Sequence, residues 1–283
     1  MNYKKRHDTL VKNIPQKSMF VCTRTDERMK GDGPYFDFTS GDFLYFTGIT
    51  QPNSILLITT YPKKQTILFI DKPNKKHELW MGAQLTKQQA KKTSQVHVVK
   101  YLDEFKETYA AILKTHTLLT YSTHPRNEEK NSTLTSALRV KKKKKNMYTV
   151  LMDMRVIKDT QELALIKKAI RITADGFANV SKENLKTESQ IMGIFAQSFF
   201  SQNATFAYQP ICASGKNACV LHYITNDSVI DQQKPILLDV GAEVCGYDAD
   251  ITRTINITTK RQEAIYTAVL AVQEFAISLL KPG

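Results

Sequence analysis

This sequence has no apolar stretch long enough to cross a bilayer; runs such as Ile-Leu-Leu-Ile at 55–58 are strand-sized. Its opening residues, MNYKKRHDTLVKN, are polar and basic and lack the apolar core of a secretory leader. Cys22, Cys212, Cys219 and Cys245 form no CxxC pair, and a chain of 283 residues does not need disulfide stapling. The expectation is a soluble, cytoplasmic protein with structural thiols and no membrane partner. An acidic excess is also lacking. The formal charge is +13, which raises nucleic acid as a partner. The lysines, however, sit in turns (YPKKQ, KPNKKHE, KKTSQ) and in one run, Lys141–Lys145, without interleaved aromatics, glycines or a nucleic-acid motif. Solvated loops, and no nucleic acid, are therefore expected.

Hydrophobic residues make up 42% of the chain and aromatics 9%, enough for a proper core. The length favours two domains, and the pattern divides them at 1–147 and 148–283, with the lysine run as linker. The first reads as an α/β domain. ILLITT (55–60) and QTILFI (65–70) flank a hairpin-like YPKK turn, and VHVVKY is a further strand. Leu85 to Gln95 is helix-compatible, and 103–115 places Phe105, Tyr109, Ile112 and Leu113 on one helical face. In the second domain, Leu163, Ile166, Ile170, Thr173, Phe177 and Val180 recur at helical spacing after a cap at Asp159 or Thr160. Thr187 and Gln190 fit a capping box, opening a helix with Ile191, Ile194, Phe195 and Phe199 inward. Strands are expected around 205–213, 219–224, 235–240, 243–249 and 251–257. A last helix from about Gln262 carries Ile265, Val269, Val272, Ala276 and Leu279 on one stripe.

The stretch LLDVGAEVCGYDADITRT (237–254) puts Asp239, Asp248 and Asp250 where the pattern otherwise asks for buried β-structure. An isolated buried carboxylate is costly unless it is paired, protonated or bound to a cation. Breaks at Gly241 and Gly246 allow a hairpin that brings Asp239 and Asp250 to one spot. Two adjacent carboxylates repel without a cation, and oxygen donors of this kind suit Mg²⁺, Mn²⁺ or a metal pair. From spacing alone, a strand aspartate is more often an exposed or capping residue.

The same stretch resembles the first metal-binding hairpin of the pita-bread metallopeptidases, and within them the aminopeptidase P family. Tyr208-Gln-Pro-Ile-Cys-Ala-Ser-Gly215, followed by Leu221-His222-Tyr223, resembles that family's substrate-site segment. FTSGDFLYFTGITQPNSILLI (38–58) and ELWMGAQL (78–85) resemble its N-terminal domain. The resemblance implies an α/β N-terminal domain, then a partial, first-half pita-bread α+β domain. The implied activity is removal of an N-terminal residue preceding proline, with two divalent metal ions, Mn²⁺ foremost. Asp239 would bind one metal and Asp250 would bridge both, whereas Asp248 falls on a variable position. His222 would contact substrate and stabilise the reacting centre, and Tyr208 would lie near substrate.

The resemblance also implies five metal ligands, of which this sequence supplies two. His222 is its last histidine, and Glu263 and Glu274 sit on a helix without a family motif. A C-terminally truncated chain is therefore expected, poorly folded in its second domain, inactive on X-Pro peptides, weak in metal binding and with part of its apolar sheet uncovered. A homo-oligomer, or a separate chain supplying the missing half, would be its partner. The alternative is a non-catalytic peptide-binding or oligomerisation module of the same descent. A metal-free hydrolase of the creatinase type is disfavoured by the presence of both Asp239 and Asp250.

Overall fold

The computed structural model describes residues 1–24, 29–30, 33–34, 41–122 and 139–283. The first three residues of the 38–58 motif lie outside them. The chain forms two compact units, Met1–Lys158 and Asp159–Gly283. The division falls later than residue 147 because helix Tyr148–Val156 belongs to the first unit: Leu151 is buried in its core, with Val150 and Met154 packed alongside.

The first unit is a mixed six-stranded sheet. Strands β1 (Ser18–Thr23), β2 (Ile55–Thr59), β3 (Gln65–Ile70), β4 (Val98–Tyr101), β5 (Leu118–Tyr121) and β6 (Lys143–Asn146) lie in the order β4-β3-β2-β1-β5-β6. The β2–β3 hairpin is the one the sequence indicates, with Thr59 opposite Gln65. Strand alternation divides the core. Phe20 and Cys22 face a cluster with Leu10, Phe43 and Phe46, while Met19 and Val21 face one with Phe69 and Tyr109. Tyr109 is buried on the face expected of helix Phe105–Thr115, with Phe105, Ile112 and Leu113 packed around it.

The lysine run is not a linker loop. Lys143 to Lys145 enter β6, which pairs in parallel with β5 (Leu119 opposite Lys144) while the lysine side chains stay exposed. A strand at a sheet edge needs backbone pairing on one side only, and charged side chains there discourage further pairing. Polar composition therefore concealed it.

The second unit opens with helix α1 (Thr160–Val180) and helix α2 (Glu188–Phe200). Both expected caps form as boxes: Asp159 accepts from the Gln161 and Glu162 amides while Glu162 reaches back, and Thr187 pairs likewise with Gln190. Asp159→Ala should cost the second unit about 1 kcal/mol, read as a lower urea midpoint for its amides in hydrogen exchange. The buried stripe of α1 differs from the expected one. It runs through Glu162, Ala169, Ile172, Thr173, Gly176 and Val180, and Leu163 and Ile170 are exposed. Small residues face inward because Phe195 and Phe199 of α2 occupy the space; a methyl on Gly176 would stand 2.6 Å from the Phe195 ring. Ile191, Phe195 and Phe199 are fully buried, as expected.

Two three-stranded sheets follow. One orders β8 (Ile211–Ser214), β9 (Ile236–Val240) and β12 (Ile251–Ile255); the other orders β11 (Tyr247–Asp248), β10 (Ala242–Val244) and β7 (Thr205–Phe206). The strand expected at 219–224 is absent. A 3-10 turn at Gly215–Cys219 leads into a loop in which Val220 and Leu221 are exposed, since the loop is anchored by polar side chains. The last helix, Lys260–Ser278, buries none of its residues, and Ile265, Val269 and Val272 are each more than half exposed. The exposed apolar residues thus lie on a helix, whereas the sequence leads one to expect an uncovered sheet. No helix among the described residues is long and apolar enough to cross a membrane.

Candidate functional site

Period-two alternation along β9 turns Ile236, Leu238 and Val240 into the core and leaves Asp239, half-buried, on the other face. Strand β12 runs antiparallel beside it with Thr252 opposite Asp239, so Asp250 arrives next to Asp239 just before β12 begins. The intervening chain folds back through a two-residue turn, Cys245–Gly246, between the paired residues Val244 and Tyr247. Both turn residues have positive φ, +52° and +77°, as a type I′ hairpin requires. Strand β7 joins β10, and the Ala207 amide donates to the Gly241 carbonyl, which carries Tyr208 to the same place.

The three side chains converge. The Tyr208 hydroxyl lies 2.5 Å from Asp239 Oδ1 and 3.1 Å from Asp250 Oδ1. Burial, then the hydrogen bond and charge of Asp239, then Asp250, hold the Tyr208 phenol far above its ordinary pKa, so it remains a proton donor. It carries one proton for two carboxylates. They line a cleft of about 360 Å³ with His222, walled by Gln209, Ile211 and Ile224. All four residues singled out in the sequence therefore share one cleft. The carboxylates differ from expectation in exposure: Asp250 is exposed and Asp239 only half-buried, because they stand on a cleft wall, outside the core. Asp248 stands apart from this cleft, opposite Glu243 on the turn arms. Burial and the charge of Asp248 raise the Glu243 pKa.

Two carboxylates with a single shared donor retain lone pairs for a cation, and hard oxygen ligands suit divalent metals. The pair therefore fits a metal in kind. In number it is short: among the described residues, no three His, Cys, Asp or Glu side chains group as a metal site.

Sequence reasoning overlooked the residues that hold the His222 loop. Glu188, fully buried at the start of α2, accepts from Ser214, Asn217, Tyr223 and Ser228. Asn226, also buried, accepts from the Cys212 amide and donates to the carbonyls of Pro210 and Ile224. The only available signal was the T-E-S-Q cap, which accounts for Thr187 and Gln190 and treats Glu188 as an ordinary first-turn acid.

Residues 164–283 match the family model for metallopeptidase family M24. Residues 3–121 match the model for the aminopeptidase P N-terminal domain. The chain is 31% identical over 277 residues to a Haemophilus influenzae Xaa-Pro aminopeptidase, covering 95% of this chain and 64% of that one. Human Xaa-Pro aminopeptidase 3 is 28% identical, with 94% and 56% covered. A Bacillus anthracis structure described as an aminopeptidase P superimposes with a TM-score of 0.88 at 30% identity, covering 95% of this chain and 68% of that one. An Escherichia coli aminopeptidase P variant in complex with substrate gives 0.90 at 25% identity, covering 100% and 68%. This chain belongs to the aminopeptidase P family. It spans between about half and two thirds of the length of the curated relatives it matches.

Proposed function

We propose that the chain serves an Xaa-Pro aminopeptidase, a metal-dependent hydrolase that removes the N-terminal residue from peptides with proline second. The observation that carries this reading is the meeting of Asp239, Asp250 and Tyr208 in the cleft that His222 lines. Asp239 and Asp250 would hold the divalent metal, with Mn²⁺ as the preferred ion. Metal there supplies Lewis-acid polarisation of the scissile carbonyl and a water of lowered pKa. Tyr208 orients the two carboxylates through its hydroxyl and would lie near substrate. His222 can donate an N–H to the carbonyl oxygen as it gains negative charge. The cytoplasm is the proposed location, supported by four free thiols.

A polypeptide of these 283 residues supplies two metal-ligand carboxylates, and we propose that by itself it binds metal weakly and does not turn over X-Pro peptides. Its partner is then a second copy or a chain that completes the ligand set. The apolar groove of about 490 Å³ between helix Lys260–Ser278 and β12, lined by Ile265, Tyr266, Val269 and Leu270, supports such an association.

The test is Mn²⁺ binding, followed by calorimetry and electron paramagnetic resonance, alongside hydrolysis of an X-Pro tripeptide. Weak binding lost in Asp239→Ala, with background hydrolysis, is the expected result. Unchanged metal stoichiometry in Asp239→Ala would overturn the ligand assignment, and chelator-sensitive hydrolysis by the parent would overturn the inactivity.

A further inference from the structure

The loop from Ser214 to Ser228 closes over a single carboxylate. Glu188 Oε1 accepts from the Ser214 amide at 2.7 Å, the Ser214 hydroxyl at 3.1 Å and the Asn217 amide at 3.1 Å. Oε2 accepts from the Tyr223 hydroxyl at 2.7 Å and the Ser228 amide at 3.1 Å. In return the Glu188 amide donates to the Ser228 carbonyl at 3.0 Å. The two oxygens thus divide the loop: Oε1 takes its entry and Oε2 its exit. Burial raises the Glu188 pKa, but the donors outweigh it and the net shift is downward, so the group stays ionised. At the first position of α2 it also faces the positive end of the helix dipole.

His222 is adjacent to Tyr223. While the Tyr223 hydroxyl goes to Glu188, His222 lines the cleft of Asp239 and Asp250. Val220, Leu221 and Ile224 around it are more than half exposed and give little packing to fix the loop. The clamp on Glu188, helped by Asn226, has to do so.

We propose that Glu188 is a positioning residue: it holds His222 at a fixed distance from the carboxylate pair by gathering both ends of the 214–228 loop. This inference rests on the reading of His222 and the two aspartates given above. Glu188 itself touches neither substrate nor metal, and its effect passes through Tyr223 and Ser228.

Two variants separate this from a general structural role. Glu188→Gln retains the oxygen for Ser214 and Asn217 and presents an NH₂ to Tyr223 and Ser228. Tyr223→Phe removes the hydroxyl that meets Glu188, Asn217 and Ser228 from a partly exposed side chain and tests the same clamp if the first variant folds poorly. Amide hydrogen exchange in the 219–228 segment should rise about tenfold or more in both, with Ser214, α1 and β9 unchanged. With Mn²⁺ added, line broadening of the His222 ring should fall severalfold while Mn²⁺ affinity stays within about twofold of the parent, since broadening reports the distance from His222 to the metal. Exchange unchanged in the loop, exchange raised uniformly through the second unit, or full His222 broadening in both variants would each overturn the proposal. A parent chain that binds no Mn²⁺, or binds it equally in Asp239→Ala, fails the metal reading instead; the exchange pattern then still decides whether Glu188 fixes the loop.

Discussion

Gly241→Ala is expected to destabilise the second unit by about 3 kcal/mol or more and to separate Asp239 from Asp250. Gly241 links β9 to β10, and a methyl there would stand 1.8 Å from the Ala249 carbonyl oxygen and 2.7 Å from its carbon. That obstacle is backbone, which cannot swing aside as a side-chain tip would. Ala249 is also tied in place, its amide donating to the Ala242 carbonyl at 2.9 Å. Relief must come from moving the strand that leads to Asp250, or from moving Tyr208, whose ring would lie 3.0 Å from the new methyl. Either movement breaks the shared hydroxyl contact. Hydrogen exchange should show β9 and β12 amides opening at lower urea, with β1 and β2 of the first unit unchanged. Parent-like exchange in β9 would show that the close approach of Gly241 to Ala249 is not required.

Acidification should weaken the first unit by about 3 kcal/mol between pH 6.5 and 4 through one residue, His7. Its ring is 1% exposed and Nε2 lies 2.8 Å from the Phe46 carbonyl, to which it donates as a neutral imidazole. Burial dominates and lowers the pKa from 6.5 to about 4; the Phe46 bond opposes this, Lys64 adds to it and Asp8 opposes it. The folded state therefore refuses a proton that the unfolded state accepts. The stabilisation is complete above pH 6.5 and is lost as pH falls from there to about 4. His97, whose pKa is also lowered, is exposed and adds little. His7→Gln offers an amide to Phe46 without a titrating group, so its urea midpoint should be nearly flat across this window. A His7→Gln profile as steep as the parent's would assign the effect elsewhere.

The hairpin was legible because its breaks are local, while the role of its two carboxylates rested on the family resemblance. Asp239 and Asp250 are eleven residues apart, the breaks at Gly241 and Gly246 are visible, and strand alternation assigns the faces. The caps at Asp159 and Thr187 were legible for the same reason: each is decided within four residues. Other features depend on distant partners. Lys143–Lys145 became a strand only because β5 offered an unpaired edge. The buried stripe of α1 moved to Ala169 and Gly176 because the rings of α2 occupy the space that larger residues would need.

By itself, then, the sequence determined the α/β character, the caps at Asp159 and Thr187 and, through its resemblance to a family, the four residues Tyr208, His222, Asp239 and Asp250 that line the cleft. Those follow from period, capping and motif, all short-range along the chain. Only the tertiary structure decided that one tyrosine proton is shared by both aspartates and that Gly241 must lack a side chain. It also decided that Glu188, 34 residues before His222, clamps the histidine's loop. Each depends on atoms brought within 4 Å by packing, and a one-dimensional pattern carries no record of such distances.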